Sequence, residues 1–381
     1  MIMSMLGIYL HIPFCRKKCL YCDFSSYSGA EHLFEPYTAA LCQQIAAQGG
    51  LLCNQAVDTV YIGGGTPSLL PIHLIEKIIA ALQAHFAIQN TAEISMEINP
   101  GTVTQEYLSA LKATGVNRLS FGVQSFNDDL LVGLGRIHKT TDSVSVLKYA
   151  AAAKFDNLSI DLMYGLPGQT FEGFCRELKR AAALPVNHIS MYGLKLEEGT
   201  PLAAAFNQGR LEMPDEAAEE AMYDEMVDYL PRQGLARYEI SNFAYSKMEC
   251  RHNLKYWHYQ PYLGLGAAAH SFLSGERISA EPDIQGYIDA VMAGRSPVVM
   301  QETLSPGQMM AEFVFLALRT AAGMGLTDFA RRFDVDFFRH YGPVCEKMLQ
   351  QKLIATNDKQ IWLTNRGMKL GNIVFSNFLP E

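Results

Sequence analysis

The sequence predicts an α/β fold, a partial (β/α)6 barrel with a C-terminal winged-helix-like helical domain. Three observations predict it. Short apolar or alternating runs recur from the N-terminus to about residue 194, amphipathic stretches separate them, and the pattern changes to successive helical segments from about Ser305.

The strand candidates, in order, are Gly7–Ile12, Asp58–Ile62, Glu93–Ile98, Arg118–Val123, Leu158–Met163 and His188–Gly193. The helix-like segments between them are Phe34–Ala47, His73–Phe86, Gln105–Ala113, Ser143–Ala153 and Phe171–Leu184. These connections are long enough for the right-handed crossovers that parallel strands require. At 381 residues the chain exceeds the size at which one core stops growing. Its pattern divides it into a barrel over 1–200, an extension over 201–300 and the winged-helix-like region over 301–381. An acidic helical stretch from Glu212 to Asp228 opens the extension, followed by Tyr238–Ile240, Cys250–Trp257 and a Gly-rich run, Leu263–Ala269. The last region reads as three helices, a β-wing around Ile354–Leu363 and a closing helix after Thr364.

Hydrophobic residues make up 49% and charged residues 18%, the balance of a compact soluble enzyme rather than a disordered chain. A formal net charge of -8 disfavours adhesion to nucleic acid or anionic membrane. Residues 301–381 carry 9 Lys or Arg against 8 Asp or Glu, unlike a DNA-binding stripe, so this region is expected to be structural or a lid. The opening stretch MIMSMLGIYLHIPF has no basic n-region and is expected to be neither a signal nor a transit peptide. No run of about 18 apolar residues is present to span a membrane. A cytoplasmic location with reduced thiols is the expectation. Five of the eight cysteines (Cys42, Cys53, Cys175, Cys250 and Cys345) are scattered and are expected to be mainly small buried residues.

The other three form Cys15-x3-Cys19-x2-Cys22, flanked by HIPF and DFSS in a loop after the first strand. Soft thiolates at this density suit iron-sulfur or zinc. A structural zinc site would close its tetrahedron with a fourth ligand, for which His11 or His32 are the candidates. A 4Fe-4S cluster on three cysteines instead leaves one iron open. That iron can chelate the amino and carboxylate groups of S-adenosylmethionine (SAM), and an electron from the cluster into the sulfonium would release a 5'-deoxyadenosyl radical. In a βα fold, chemistry gathers where strands run out, and the unusual residues sit there. Gly63-Gly64-Gly65-Thr66-Pro67 follows the second strand and lets a ligand approach bare backbone, or simply makes a tight turn. Glu97 can accept from ribose hydroxyls, while Gln124, Arg136 and Asp161 are polar residues near later strand ends.

These residues make the chain resemble, over essentially its full length, the coproporphyrinogen III oxidase-like branch of radical SAM proteins. The motifs are YLHIPFCRKKCLYCDF, GGGTPSLL, EINPGT, RLSFGVQSF, LGRIH, IDLMYGLPGQT and HNLKYW, with the winged-helix-like region behind them. The resemblance implies a radical SAM barrel with the cluster on Cys15, Cys19 and Cys22. It implies that Tyr9, Tyr21, Gly64 and Glu97 surround the cluster-bound SAM. Gly65, Thr66, Gln124, Arg136 and Asp161 match residues around a second SAM, and the later contacts of the oxidase pattern fall near Lys195 and His270, where residue types depart.

Two departures distinguish this chain from the oxidase itself. Phe24 stands where the oxidase has a further cysteine, and only 14 residues precede Cys15 where the oxidase has a longer extension. His252-Asn253-Leu254-Lys255-Tyr256-Trp257 matches the HNxxYW motif associated with heme in the heme-chaperone members. The resemblance therefore implies heme binding, with the His252 imidazole offered to iron, Tyr256 and Trp257 offered to the macrocycle, and Cys250 as a further thiolate or attachment point. Read by itself, the same segment is a packed aromatic turn whose histidine hydrogen-bonds a carbonyl. The expected partners are heme and a heme-accepting protein, with no nucleic acid and at most transient membrane association through the acceptor; the chain is a monomer or a dimer. The competing readings are an oxygen-independent coproporphyrinogen III oxidase, another radical SAM enzyme that modifies tetrapyrroles, and a structural zinc protein.

Overall fold

The structure is a computed structural model that describes residues 5–52 and 54–380; Cys53 lies outside the described residues. Six strands run parallel in sequence order: β1 (Leu6–Ile12), β2 (Ala56–Gly64), β3 (Ala87–Ile98), β4 (Arg118–Gln124), β5 (Leu158–Tyr164) and β6 (His188–Gly193). Helices α1 (Phe34–Leu52), α2 (Ile72–His85), α3 (Gln105–Ala113), α4 (Thr140–Ala152) and α5 (Phe171–Ala182) make the crossovers. Each strand and helix lies where the sequence places it, apart from shifts at the ends. A short helix, Asp128–Gly133, was not expected; its N-cap Asn127 accepts from the Asp129 amide.

The alternation within the strands has an unusual sense. Ile8, Leu10, Val60, Ile62, Met96, Leu119, Phe121, Ile160 and Ile189 are buried and belong to the main apolar core. The opposite face carries Tyr9, Tyr61, Glu97, Ser120, Asp161 and Ser190, with Tyr9 beside Tyr61, Glu97 beside Ser120 and Asp161 beside Ser190 in register. The lumen is therefore polar, and packing energy comes from the outer apolar layer under the helices.

The sheet is larger than the six-stranded expectation. Tyr262–Leu265 pairs parallel with β1, in register Gly7↔Tyr262 to Leu10↔Leu265, so β1 is internal and the parallel set numbers seven. Antiparallel strands His270–Leu273, Glu276–Ala280 and Val298–Thr303 continue that edge, and Asn242–Ala244 with Ala236–Arg237 extend the other, giving 12 strands. The seventh parallel strand hid in a Gly-rich run because its glycine serves packing. A Cβ on Gly264 would lie 2.0 Å from the His270 carbonyl oxygen.

The helix Arg251–Trp257 plugs the N-terminal end of the lumen. The Glu93 carboxylate accepts from the amides of Arg251 and His252, both at 3.1 Å, and so caps the helix. Lys255 Nζ lies 2.6 Å from Asp58 Oδ1 and donates to the Met5 carbonyl at 2.9 Å. Gly7 makes room for this plug, since a Cβ there would stand 2.8 Å from Lys255 Cδ.

A second apolar cluster is built on helices Pro306–Leu318, Leu326–Phe333 and Phe337–Gln350 and also takes in Tyr259 and Phe272. Strands Ile354–Thr356 and Gln360–Leu363 form the wing, and Met324–Gly325 adds a third strand that the sequence reading lacked. Among the described residues no helix is long and apolar enough to cross a membrane.

Candidate cofactor site

The cysteine loop leaves the end of β1 and is closed at its base by a two-residue parallel ladder, Phe14–Cys15 with Tyr27–Ser28. The turn after β2 is bound to that base, with the Gly65 amide donating to Ile12 O at 2.9 Å and the Thr66 amide to Phe14 O at 2.7 Å. Gly64 has φ +114, and a Cβ on Gly65 would stand 2.6 Å from Phe14 O and 3.1 Å from Cys15 Sγ. The glycines are thus needed to seat the turn under the loop, as well as to expose backbone. The Leu20 amide donates to Leu134 O at 3.0 Å, which ties the middle of the loop to the segment carrying Arg136.

Cys15, Cys19 and Cys22 are half-buried and line one cavity of about 490 Å³. Cys15 Sγ lies 3.6 Å from Thr66 Oγ1, and Arg136 Nη1 donates to Cys19 Sγ at 3.5 Å. Among the described residues no three His, Cys, Asp or Glu side chains converge on a single metal ion. Three thiols on one cavity wall can each bind a separate iron of a polynuclear cluster.

The same cavity is lined by Tyr21, Gly64, Gly65, Thr66, Glu97, Gln124, Arg136 and Asp161, so eight of the nine expected SAM residues meet there. Glu97 accepts from the Tyr61 hydroxyl at 2.9 Å and the Gly64 amide at 3.2 Å. Burial, and then the charge of Asp161, push its carboxyl up to about 7 against these hydrogen bonds. Asp161 is likewise raised by burial, and the Ser120 hydroxyl donates to it at 3.3 Å. Gln124 sits at φ +66, where a register shift between Gly122 and Gln124 bends the end of β4. Arg136 Nη2 donates to the Gly122 carbonyl at 2.7 Å and also to Asn99 Oδ1.

Asn99 was missed. Its Nδ2 donates to Thr66 Oγ1 at 2.8 Å, so it holds Thr66 and Arg136 together. Its position directly after β3, in the EINPG segment, was the available signal. Lys195 also lines this cavity.

Two expectations are corrected, those for His252 and Cys250, and Tyr9 is placed apart from the other eight SAM residues. It faces an adjoining cavity of about 670 Å³ and stacks on Tyr61, which lines the thiol cavity. The His11 ring explains its pose. Nε2 must donate to the Ser25 carbonyl at 2.9 Å, so Nδ1 accepts from the Tyr9 hydroxyl at 3.0 Å. His252 is fully buried in the floor plug, with Nδ1 3.0 Å from Thr59 Oγ1 and Nε2 2.8 Å from the Tyr256 hydroxyl. Burial, then Lys255 and Arg118, push its pKa down to about 3. The imidazole is neutral and both nitrogens are engaged, so none is offered to a heme iron. Cys250 is buried at the start of the plug, and burial pushes its thiol up to about 12, which removes it as an accessible thiolate.

Tyr256 and Trp257 do open onto a ligand-sized space. They line the 670 Å³ cavity together with Tyr259, Tyr262, His270 and Phe272. Asp23 and Phe24 line both cavities, which therefore adjoin.

The radical SAM superfamily model matches residues 9–181, and the HemN C-terminal domain model matches residues 304–370. The chain is 35% identical to the heme chaperone HemW of Bacillus subtilis over 99% of this chain and 100% of that protein. It is 34% identical to the heme chaperone HemW of Lactococcus lactis over 98% of this chain and 97% of that one. Among solved structures, coproporphyrinogen III oxidase (HemN) from Escherichia coli superposes with a TM-score of 0.87 at 24% identity, covering 99% of this chain and 90% of that chain. That likeness establishes the fold.

Proposed function

The chain belongs to the HemW family of radical SAM proteins, and we propose on that basis that it is a heme chaperone, binding heme and passing it to an acceptor protein. Cys15, Cys19 and Cys22 hold a 4Fe-4S cluster, with SAM on the open iron. When bound, the cluster supplies the electron that cleaves SAM reductively.

The protein's own residues position the nucleoside. Glu97 takes the ribose hydroxyls, with Tyr61 and the Gly64 amide fixing its two oxygens. Gly64, Tyr21 and Tyr9 border the same SAM, with the Tyr9 hydroxyl held by His11. Gly65, Thr66, Gln124, Arg136 and Asp161 form the wall that takes a second SAM where one binds. Arg136 also stabilises the Cys19 thiolate by donating to its sulfur.

The observation that carries this reading is the meeting of three thiols and the polar SAM wall in one cavity, beside a second cavity lined by Tyr256 and Trp257 of the HNLKYW motif. Phe24, exposed at 66% where the oxidase has a further cysteine, supports a chaperone over a decarboxylating enzyme.

Anaerobically purified protein tests the reading in two steps. Iron and sulfide analysis establishes the cluster, and titration with heme should produce a Soret band. Incubation with SAM and dithionite, with and without heme, then measures 5'-deoxyadenosine. Absence of heme binding would sink the proposal, and conversion of coproporphyrinogen III to product would replace it with the oxidase.

A further inference from the structure

The end of β4 is a strained turn. The Ser125 amide donates to the Val123 carbonyl at 2.9 Å and closes a ring over Gln124, whose φ of +66 makes this the form of γ-turn that side-chain-bearing residues rarely adopt. Regular pairing with β5 would carry Gln124 on to Met163; the turn sets it opposite Leu162 instead, one pair earlier. Its side chain stands over Gly122. A Cβ on Gly122 would lie 3.2 Å from Gln124 Nε2, 3.1 Å from Asn99 Oδ1 and 3.3 Å from Arg136 Nη2, so the bare glycine lets these three polar groups meet on the wall of the thiol cavity.

Backbone strain persists only where the surroundings over-determine it. Arg136 Nη2 holds the Gly122 carbonyl before the turn, and His138 Nε2 donates to the Val123 carbonyl at 3.1 Å. On the far side, Glu177 Oε2 on α5 accepts from the Ser125 hydroxyl at 2.7 Å and from the Phe126 amide at 2.8 Å. One oxygen thus fixes both a side chain and the backbone just past the bend. Val123, Ser125 and His138 are buried, and neither Glu177 nor His138 lines the thiol cavity.

We infer that Glu177 is a positioning residue for SAM: with His138 it clamps the turn after β4 and so keeps the Gln124 carboxamide beside Asn99 and Arg136 in the SAM wall. The inference rests on the SAM-binding reading above. Glu177 touches no ligand and acts through Gln124. Released from the clamp, Gln124 relaxes toward ordinary extended backbone and the regular register, which takes its amide away from Gly122.

The test measures equilibrium SAM binding to the anaerobic, cluster-loaded full chain and to Gln124→Ala, Glu177→Leu, Glu177→Gln and the double variant of Gln124→Ala with Glu177→Leu. Gln124→Ala and Glu177→Leu should each weaken the same binding phase about tenfold, and the double variant no more than either alone. Glu177→Gln should bind as the wild type does, because its amide oxygen can accept from the same two donors. Iron and sulfide content and the urea midpoint verify that each variant is loaded and folded, and His138→Leu takes the place of Glu177→Leu should that variant misfold. Wild-type affinity in Glu177→Leu, affinity losses that add in the double variant, or a Glu177→Gln as weak as Glu177→Leu would overturn this inference and leave the SAM wall intact. Wild-type affinity in Gln124→Ala would remove Gln124 from that wall and overturn both.

Discussion

The Nδ1 atom of His252 lies 3.0 Å from the hydroxyl of Thr59, a contact between residues 193 positions apart that joins the floor plug to β2. With Nε2 on Tyr256, it makes His252 a structural pin. His252→Ala leaves a cavity and two unpaired hydroxyls, and is expected to cost about 2–4 kcal/mol of stability, read by urea unfolding. Stability equal to that of the wild type would show that the pin contributes nothing. Any loss of heme in this variant should follow the loss of fold.

The turn under the cysteine loop offers a sharper probe of the cluster. Gly65→Ala forces a methyl against Phe14 O and Cys15 Sγ and must displace the loop. Reconstituted protein should then retain little iron and sulfide while its helical circular dichroism is kept. Full cluster content would mean that the loop yields without losing its ligand geometry.

Arg136 reaches Cys19, Gly122 and Asn99 with one guanidinium. A lysine cannot reproduce that fork. Arg136→Lys should weaken SAM binding by roughly 1–3 kcal/mol, measured by equilibrium binding to the cluster-loaded protein. An unchanged affinity would place Arg136 outside the SAM wall.

Glu97 predicts a pH dependence. Its carboxyl keeps its proton up to about 7 in the folded free protein, against an ordinary value of 4.5. The folded state therefore binds more protons than the unfolded one between these values, and this group's contribution to stability falls as pH rises across that window. Ribose hydroxyls donate best to the carboxylate, so SAM affinity should rise with pH through about 7 and then level off. Glu97→Gln should bind more weakly with no such rise; a rise that persists in the variant would assign the titration to another group.

The barrel strands and their crossovers were legible because alternation and helical period are local. The strand Tyr262–Leu265 was not, since Gly264 lacks a side chain for reasons set by His270 across the sheet. Among site residues, those at strand ends were legible, and Asn99 was overlooked although it holds the same kind of position. Tyr9 and His252 carried the right chemistry, but their aim depends on His11, Thr59 and Tyr256.

The sequence by itself determined the βα order, the three-thiol loop and the polar residues at strand ends, because spacing along the chain decides which residues recur at one end of a parallel sheet. Only the tertiary structure decided which imidazole is buried and which lines a cavity. Whether a histidine faces a cavity or is satisfied in the core depends on partners brought from distant segments: His252 meets Thr59 and the floor of the barrel, whereas His270 is exposed and lines the lateral cavity.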